Sequence, residues 1–327
     1  MRLTARLLAV SVALTGASTT GACSPPVTHH QSAPTPKIYT YTSDANGFNT
    51  QTHFLDTGKS VVAFDAQFTP SYGEKALAYL RSKSSHPVKY LVVTHPNPDK
   101  FQGISAFKAA GATSIASTGT ANAMRSVWKY KKTYFVNIAK TFTEATYPRL
   151  PAIDKTFDGH RTLIVDDVRI DLTVLAKPGI SSTQTVATIP ALKSVLVGDL
   201  IHHDAHSWLE GGIVNGKPTP RIEGWKQDLD QIGQLAGKKW TVYGGRGSVT
   251  SVATAVSQQK TYLNTADKDA SALVQSLTVA QRKAAVADPS PLVAQLTRKL
   301  TAQFPTYTLP YMIDYGAYGL INQHLAA

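Results

Sequence analysis

The sequence predicts an α/β protein in which two β-sheets pack face to face and helices cover the outside. Three observations carry that expectation. Short apolar runs bounded by turn residues alternate with stretches of helical spacing. These fall into two β-rich halves, each followed by helices. The 327 residues, 43% of them hydrophobic, suffice for a sizeable core, and no repeat at a fixed period divides it.

Residues 1–22 read as a secretory signal peptide. Arg2 and Arg6 give a basic start, Leu7 to Leu14 is apolar but too short to span a bilayer, and small residues lead to Cys23. Cys23 is the sole cysteine and sits where a bacterial lipoprotein is cleaved and acylated, although Thr20 stands where Leu is usual. The expectation is lipidation at Cys23 and a membrane-anchored place in a bacterial cell envelope, facing the periplasm or exterior. Plain secretion is the alternative. Residues 23–36 are rich in Pro, Ser and Thr and read as a flexible tether. A single domain then fills 37–327. With no other thiol, disulfides, zinc–thiolate sites and cysteine nucleophiles are excluded downstream.

Ile38 to Thr42, His53 to Leu55 and Ser60 to Phe64 read as strands between turns such as Asn46-Gly47 and Thr57-Gly58. Pro70 to Lys83 has helical spacing, with Leu77 and Leu80 on one side. Tyr90 to Thr94 is a buried strand. Phe101 to Ala110 reads as one helix closed by Gly111, Ser114 to Ala116 as a strand, and about Gly119 to Tyr130 as a helix. Arg161 to Val165 and Val168 to Val174 form a hairpin around Asp166-Asp167. Thr185 to Ile189 and Ser194 to Val197 form another. A helix over Trp225 to Leu235 and a strand over Trp240 to Tyr243 follow. From Val249 onward the chain is helix-rich, broken at Asp288-Pro289-Ser290-Pro291.

The formal charge is +12. In an envelope protein this points to an anionic surface nearby, not to nucleic acid, for which no motif is present. The basic run Lys129-Tyr130-Lys131-Lys132 reads as a solvated face.

The strand Tyr90 to Thr94 runs into Thr94-His95-Pro96-Asn97-Pro98-Asp99-Lys100-Phe101. This loop resembles the His-x-His-x-Asp-His signature of the metallo-β-lactamase superfamily. Val61 to Phe68 resembles the strand and turn before that loop, Val195 to Leu200 the later strand ending in Gly-Asp, and Tyr243 to Gly247 stands where Pro-Gly-His-Gly is usual. The resemblance spans roughly Ile38 to Leu263. It implies the αββα sandwich of that superfamily, two mixed sheets flanked by helices, with the active site at the sheet edges.

The family's ligands carry over one at a time. His95 and Asp99 match. Asn97 replaces the second histidine and Lys100 the histidine after the aspartate. Ile180-Ser181 stands where a third is expected. Asp199 matches the bridging aspartate, and Arg246 replaces the last histidine. A catalytic zinc normally takes three protein ligands, and neither site retains them. No cofactor is therefore expected. Zinc is the alternative, and would be held by His95, Asp99 and Asp199. Lys100 and Arg246 instead bring charge that offsets the two carboxylates.

The resemblance also places His206 and Trp208 at the substrate pocket. On a helix, His202 and His206 at i,i+4 would together hold a metal; the alternative is that His202 and His203 only pack. Glu210 to Pro218 reads as a flexible loop at the pocket. Ser181 is a candidate nucleophile with His95 or His206 as base, or part of a polar loop bonded to its own backbone.

Two functions follow as expectations. The first is a metal-poor hydrolase of an ester, lactone or similar small anionic substrate. His95, Asp99, Lys100 and Asp199 would do the chemistry, and Asn97, Ser181, His206, Trp208 and Arg246 would bind substrate. The second is a non-catalytic lipoprotein whose former active site is an anion pocket. A surface or assembly protein using only the scaffold is a weaker third. β-Lactam hydrolysis is not expected, because in this fold it relies on metal-activated water.

Overall fold

The computed structural model describes residues 35–327. The expected leader, Cys23 and most of the tether lie outside the described residues.

Six strands form the first sheet in sequential order: β1 (Lys37–Thr42), β2 (Gln51–Asp56), β3 (Val61–Phe64), β4 (Val88–Val93), β5 (Thr113–Ser117) and β6 (Lys155–Phe157). The first three pair antiparallel and the rest parallel. The second sheet contains β7 (His160–Val165), β8 (Val168–Val174), β9 (Thr185–Ile189), β10 (Ser194–His203), β13 (Thr241–Gly247) and β14 (Thr250–Ser251). Its order is β14-β13-β10-β9-β8-β7, with β10 and β13 parallel. The β11 (Gly212–Val214) and β12 (Lys217–Thr219) pair is a separate small hairpin.

Side-chain alternation builds the layers. Leu55, Val62, Phe64 and Val92 point inward against Ile170, Leu172, Ile189 and Leu196 of the other sheet. Their neighbours Phe54, Val61, Ala63, Leu91 and Val93 point outward. There they meet α1 (Pro70–Arg81) and α3 (Ile104–Ala109) through Leu77, Leu80, Ile104 and Phe107. On the far side, Val195 and Val197 are covered by α5 (Ile222–Leu235), α6 (Val252–Gln275), α8 (Ser290–Gln303) and α9 (Tyr311–Ala326). Two mixed sheets with helices on both outer faces are therefore the observed architecture.

Local chemistry sets the helix starts. Thr69 caps α1 ahead of Pro70, and the Ser117 hydroxyl accepts from Thr120 N at the start of α4 (Thr118–Thr133). Thr278 and Gln281 form a capping box on α7 (Val279–Ala287), and Pro289 separates it from α8.

Two expectations about elements change. The single helix over Phe101 to Ala110 is two pieces, α2 (Pro98–Phe101) and α3. Between them Gly103 N donates to Gln67 O, and a Cβ at 103 would lie 1.8 Å from Ala66 O. That close approach ties the segment to the end of β3 and breaks the helix. Strand β10 also runs on past Val197 to His203. His202 is therefore a strand residue, and the proposed helical His202–His206 metal pair does not form.

Candidate functional site

The site lies at the ends of β4 and β13 and beside the irregular middle of β10, around Asp199. Asp65, just beyond β3, adopts a left-handed backbone with φ 66°. Its carboxylate accepts from Thr94 N at 2.9 Å and from Thr94 Oγ1 at 3.0 Å. Thr94 Oγ1 also lies 2.9 Å from His95 Nδ1. A hydroxyl that donates to Asp65 accepts from Nδ1–H, so the His95 ring presents Nε2 to Asp199, 3.5 Å from Oδ2. Burial pushes Asp65 up to about 6 against the pull of nearby Lys100 and His95.

The centre is a closed quartet of charges. Lys100 Nζ is 2.9 Å from Asp99 Oδ2 and 2.8 Å from Asp199 Oδ1. Arg246 Nη2 is 2.9 Å from Asp99 Oδ2, and its Nη1 is 2.8 Å from Asp199 Oδ2. Two further guanidinium contacts lie on the other side: Nε donates to Phe48 O at 2.8 Å, and Nη2 reaches Thr50 Oγ1 at 3.1 Å. Thr50 in turn donates to Asp99 Oδ2. Lys100 is fully buried, and the other three members are nearly so.

Electrostatics follow from this geometry. Burial alone would raise the Asp99 pKa, but Lys100 and Arg246 outweigh it and hold the group at about 2. Asp199 is lowered well below its usual value by the same balance. Burial would favour loss of the Lys100 proton, yet the two carboxylates raise its pKa. All four groups are therefore ionised at neutral pH, and their formal charges sum to zero. Gly245 makes room for the arrangement, since a Cβ there would fall 1.8 Å from Asp199 Oδ1.

His202 Nε2 approaches Asp199 Oδ1 at 3.5 Å from within β10, and burial lowers its pKa. Asn97 and Trp208 line a small cleft over the quartet together with Asp99, Asp199 and Arg246. Its volume is about 30 Å³, on the order of a single water's share of liquid volume. His206 and Ser181 do not line it. His206 is buried against Tyr262 and Tyr307, with Nδ1 3.1 Å from the Tyr262 hydroxyl, and burial pushes its pKa down to about 4. Ser181 is buried in its own loop.

Several partners were not anticipated. Lys131, expected on a solvated face, is buried and pairs with Glu210, which was expected on a flexible loop. Glu210 also accepts from Trp208 Nε1 at 2.9 Å, and Lys131 Nζ lies 4.7 Å above the Trp208 ring. The single signal for Thr50 and Phe48 is the Asn46-Gly47 turn beside them.

A sequence profile for the metallo-beta-lactamase superfamily matches residues 45–244. The chain belongs to the metallo-β-lactamase superfamily. Among curated proteins none matches it. Solved structures agree on the fold. A metallo-beta-lactamase from Pontibacter korlensis is 19% identical with a TM-score of 0.51, covering 69% of this chain and 94% of its own. The DIM-1 metallo-beta-lactamase exposed to ceftazidime is 17% identical with a TM-score of 0.52, covering 72% and 99%. TMB-1 is 18% identical with a TM-score of 0.51, covering 71% and 99%.

The zinc that this superfamily implies does not fit the side chains present. Both Asp199 oxygens and Asp99 Oδ2 are engaged by cations within 2.9 Å, whereas a metal needs those lone pairs. Among the described residues, no three His, Cys, Asp or Glu side chains are grouped to hold an ion.

Proposed function

We propose that this superfamily member is a metal-independent, non-hydrolytic binding protein of a bacterial cell envelope, tethered through a lipidated Cys23. The neutral charge quartet carries the reading. Hydrolysis in this fold depends on a metal that lowers the pKa of bound water, and Lys100 with Arg246 stand on the carboxylates that would hold it. These cations instead bind the ends of the two sheets together as structural charge.

The same geometry shifts the alternative of an anion pocket. Arg246 is ion-paired to Asp99 and Asp199 and also meets Phe48 and Thr50, and Lys100 is ion-paired to the same two carboxylates. No uncompensated cation is left there to capture an anionic ligand. Lys131 is likewise paired with Glu210.

A panel of chromogenic esters, lactones and β-lactams tests the reading, together with zinc and iron analysis of protein purified without chelator. The expected result is no turnover above that of Asp199→Asn and no stoichiometric metal. One observation favours slow hydrolysis as a second reading: His95 Nε2 is buried with no hydrogen-bond partner and is oriented through Thr94 and Asp65. Turnover that survives chelation and disappears in His95→Ala would establish that second reading and displace the first.

A further inference from the structure

Beside the cleft over the quartet lies a much larger groove of about 660 Å³, within the usual range for a small-molecule site. The two share Phe48, Phe68 and Phe135 as a common wall. We infer that this groove binds an uncharged, flat, conjugated ligand, an aryl or polyene group stacked among its rings. This deepens the proposed binding role by naming a ligand class.

The walls come from separate parts of the chain. Phe68 follows β3, Phe135 lies in the π-helical segment Tyr134–Ile138 that continues α4, and Phe142 comes from the bend after it. Phe68 packs on them at 5.1 and 5.8 Å between centroids. Tyr311 and Tyr315 come from α9, beyond the residues that match the superfamily profile. The groove is thus partly built by helix α9, which lies after the residues matched by the profile.

Its chemistry argues for a neutral ligand. None of the lining residues is charged. Its hydroxyls are mostly spent internally: Thr69 Oγ1 and Ser71 Oγ bond each other at 2.8 Å, and Thr141 Oγ1 reaches Phe135 O at 3.4 Å. The Tyr311 hydroxyl donates to Asn49 Oδ1 at 2.7 Å, and the Tyr72 hydroxyl donates to Asp44. What remains for a ligand is ring surface, which favours stacked or edge-to-face aromatic partners. The carboxylate of Asp44 beside Tyr72 weighs against an anion.

Phe48 fixes the inner end. Its backbone is left-handed at φ 62°, a conformation that side chains other than glycine rarely adopt. Arg246 Nε holds its carbonyl at 2.8 Å. Its ring stands edge-on to Phe68 at 4.8 Å, to Trp208 at 6.2 Å and to Tyr315 at 6.0 Å. A ligand in the groove would therefore rest against a wall locked in place by the quartet.

Fluorescence titration of the full chain with neutral N-phenylnaphthylamine, and with its charged relative anilinonaphthalene sulfonate, tests this. Saturable one-site binding of the neutral probe is expected, weaker for the sulfonate. Thr141→Trp, which fills the groove from an exposed position, and Phe142→Ala should each weaken binding about ten-fold while circular dichroism stays unchanged. Several results overturn the inference: no saturable binding, equal binding in both folded variants, tighter binding of the sulfonate, or a dimer in sedimentation that the variants abolish. None of these depends on turnover, so the non-hydrolytic reading stands or falls separately.

Discussion

Lys100 is the side chain on which the quartet turns. It touches both carboxylates and is fully buried. Removing one partner of a buried ion pair leaves an uncompensated charge, which typically costs about 3–5 kcal/mol. Lys100→Met should therefore lower unfolding stability by about that amount in urea denaturation, far more than its lost packing would. A second substitution reads the same residues from the opposite side. Lys100→His with Arg246→His places two imidazoles beside Asp99 and Asp199, the four ligands of a tetrahedral zinc site. That double variant should retain about one zinc after dialysis, measured by mass spectrometry, while the parent retains none. The substitutions at 100 and 246 were legible because they fall inside a recognisable motif. Thr50, Phe48 and the Lys131–Glu210 pair were not, because each acts through contacts distant in sequence. A lysine inside a basic run carries no local mark of burial. His206 was misplaced for a related reason: spacing from Asp199 does not show that β10 continues to His203 and carries the chain away from the cleft.

At the scale of elements, α9 and α5 make the sharpest claims. Helix α9 lies flat on residues 208–210 because two glycines face them. A Cβ at Gly316 would meet Leu209 N at 2.5 Å, and one at Gly319 would meet Glu210 O at 2.6 Å. In an exposed helix Gly→Ala gains up to about 1 kcal/mol of propensity. Here overpacking against fixed backbone should win, costing about 1–3 kcal/mol, so Gly319→Ala is expected to lower the urea midpoint. Helix α5 holds the 176–177 turn through Asp228 and Gln231, which accept from Lys177 N and Ala176 N at 3.1 Å each. Burial pushes Asp228 up to about 7. Between about 4 and 7 the folded state keeps a proton that the unfolded chain has released, so this group's contribution to stability is fully present at low pH and is lost as pH rises through 7. Asp228→Asn should remove that fall, and its stability relative to the parent should rise with pH when unfolding is followed from pH 5 to pH 8. Strand positions such as Val61 to Phe64 were legible because a short continuous apolar run bounded by turn residues reads as a strand, here one buried on both faces. The break at Gly103 was not, since helical spacing runs straight through a glycine whose constraint comes from Ala66.

For the molecule as a whole, the question is what the C-terminal helices are for. The superfamily profile stops at residue 244, and the three similar metallo-β-lactamase structures are almost wholly covered while leaving more than a quarter of this chain unmatched. By that measure α6 to α9 look dispensable, but their packing says otherwise. Met312, Ile313, Leu320 and Ile321 of α9 are all completely buried, and the last three join α6 and α8 in the core over the second sheet. Each such side chain contributes about 1.5–3 kcal/mol on burial, so these four approach the whole stability of an ordinary domain, about 5–15 kcal/mol. Helix α9 also supplies Tyr315, which stacks on Trp208 with an interplanar angle of 5° and walls the aromatic groove. A chain ending at Pro310 should therefore lose cooperative thermal unfolding and bind hydrophobic dyes non-specifically. A truncated chain that unfolds in one sharp transition and keeps the native near-ultraviolet dichroism would show instead that the sandwich is complete without its addition, and that the charge quartet alone suffices to close the two sheet edges.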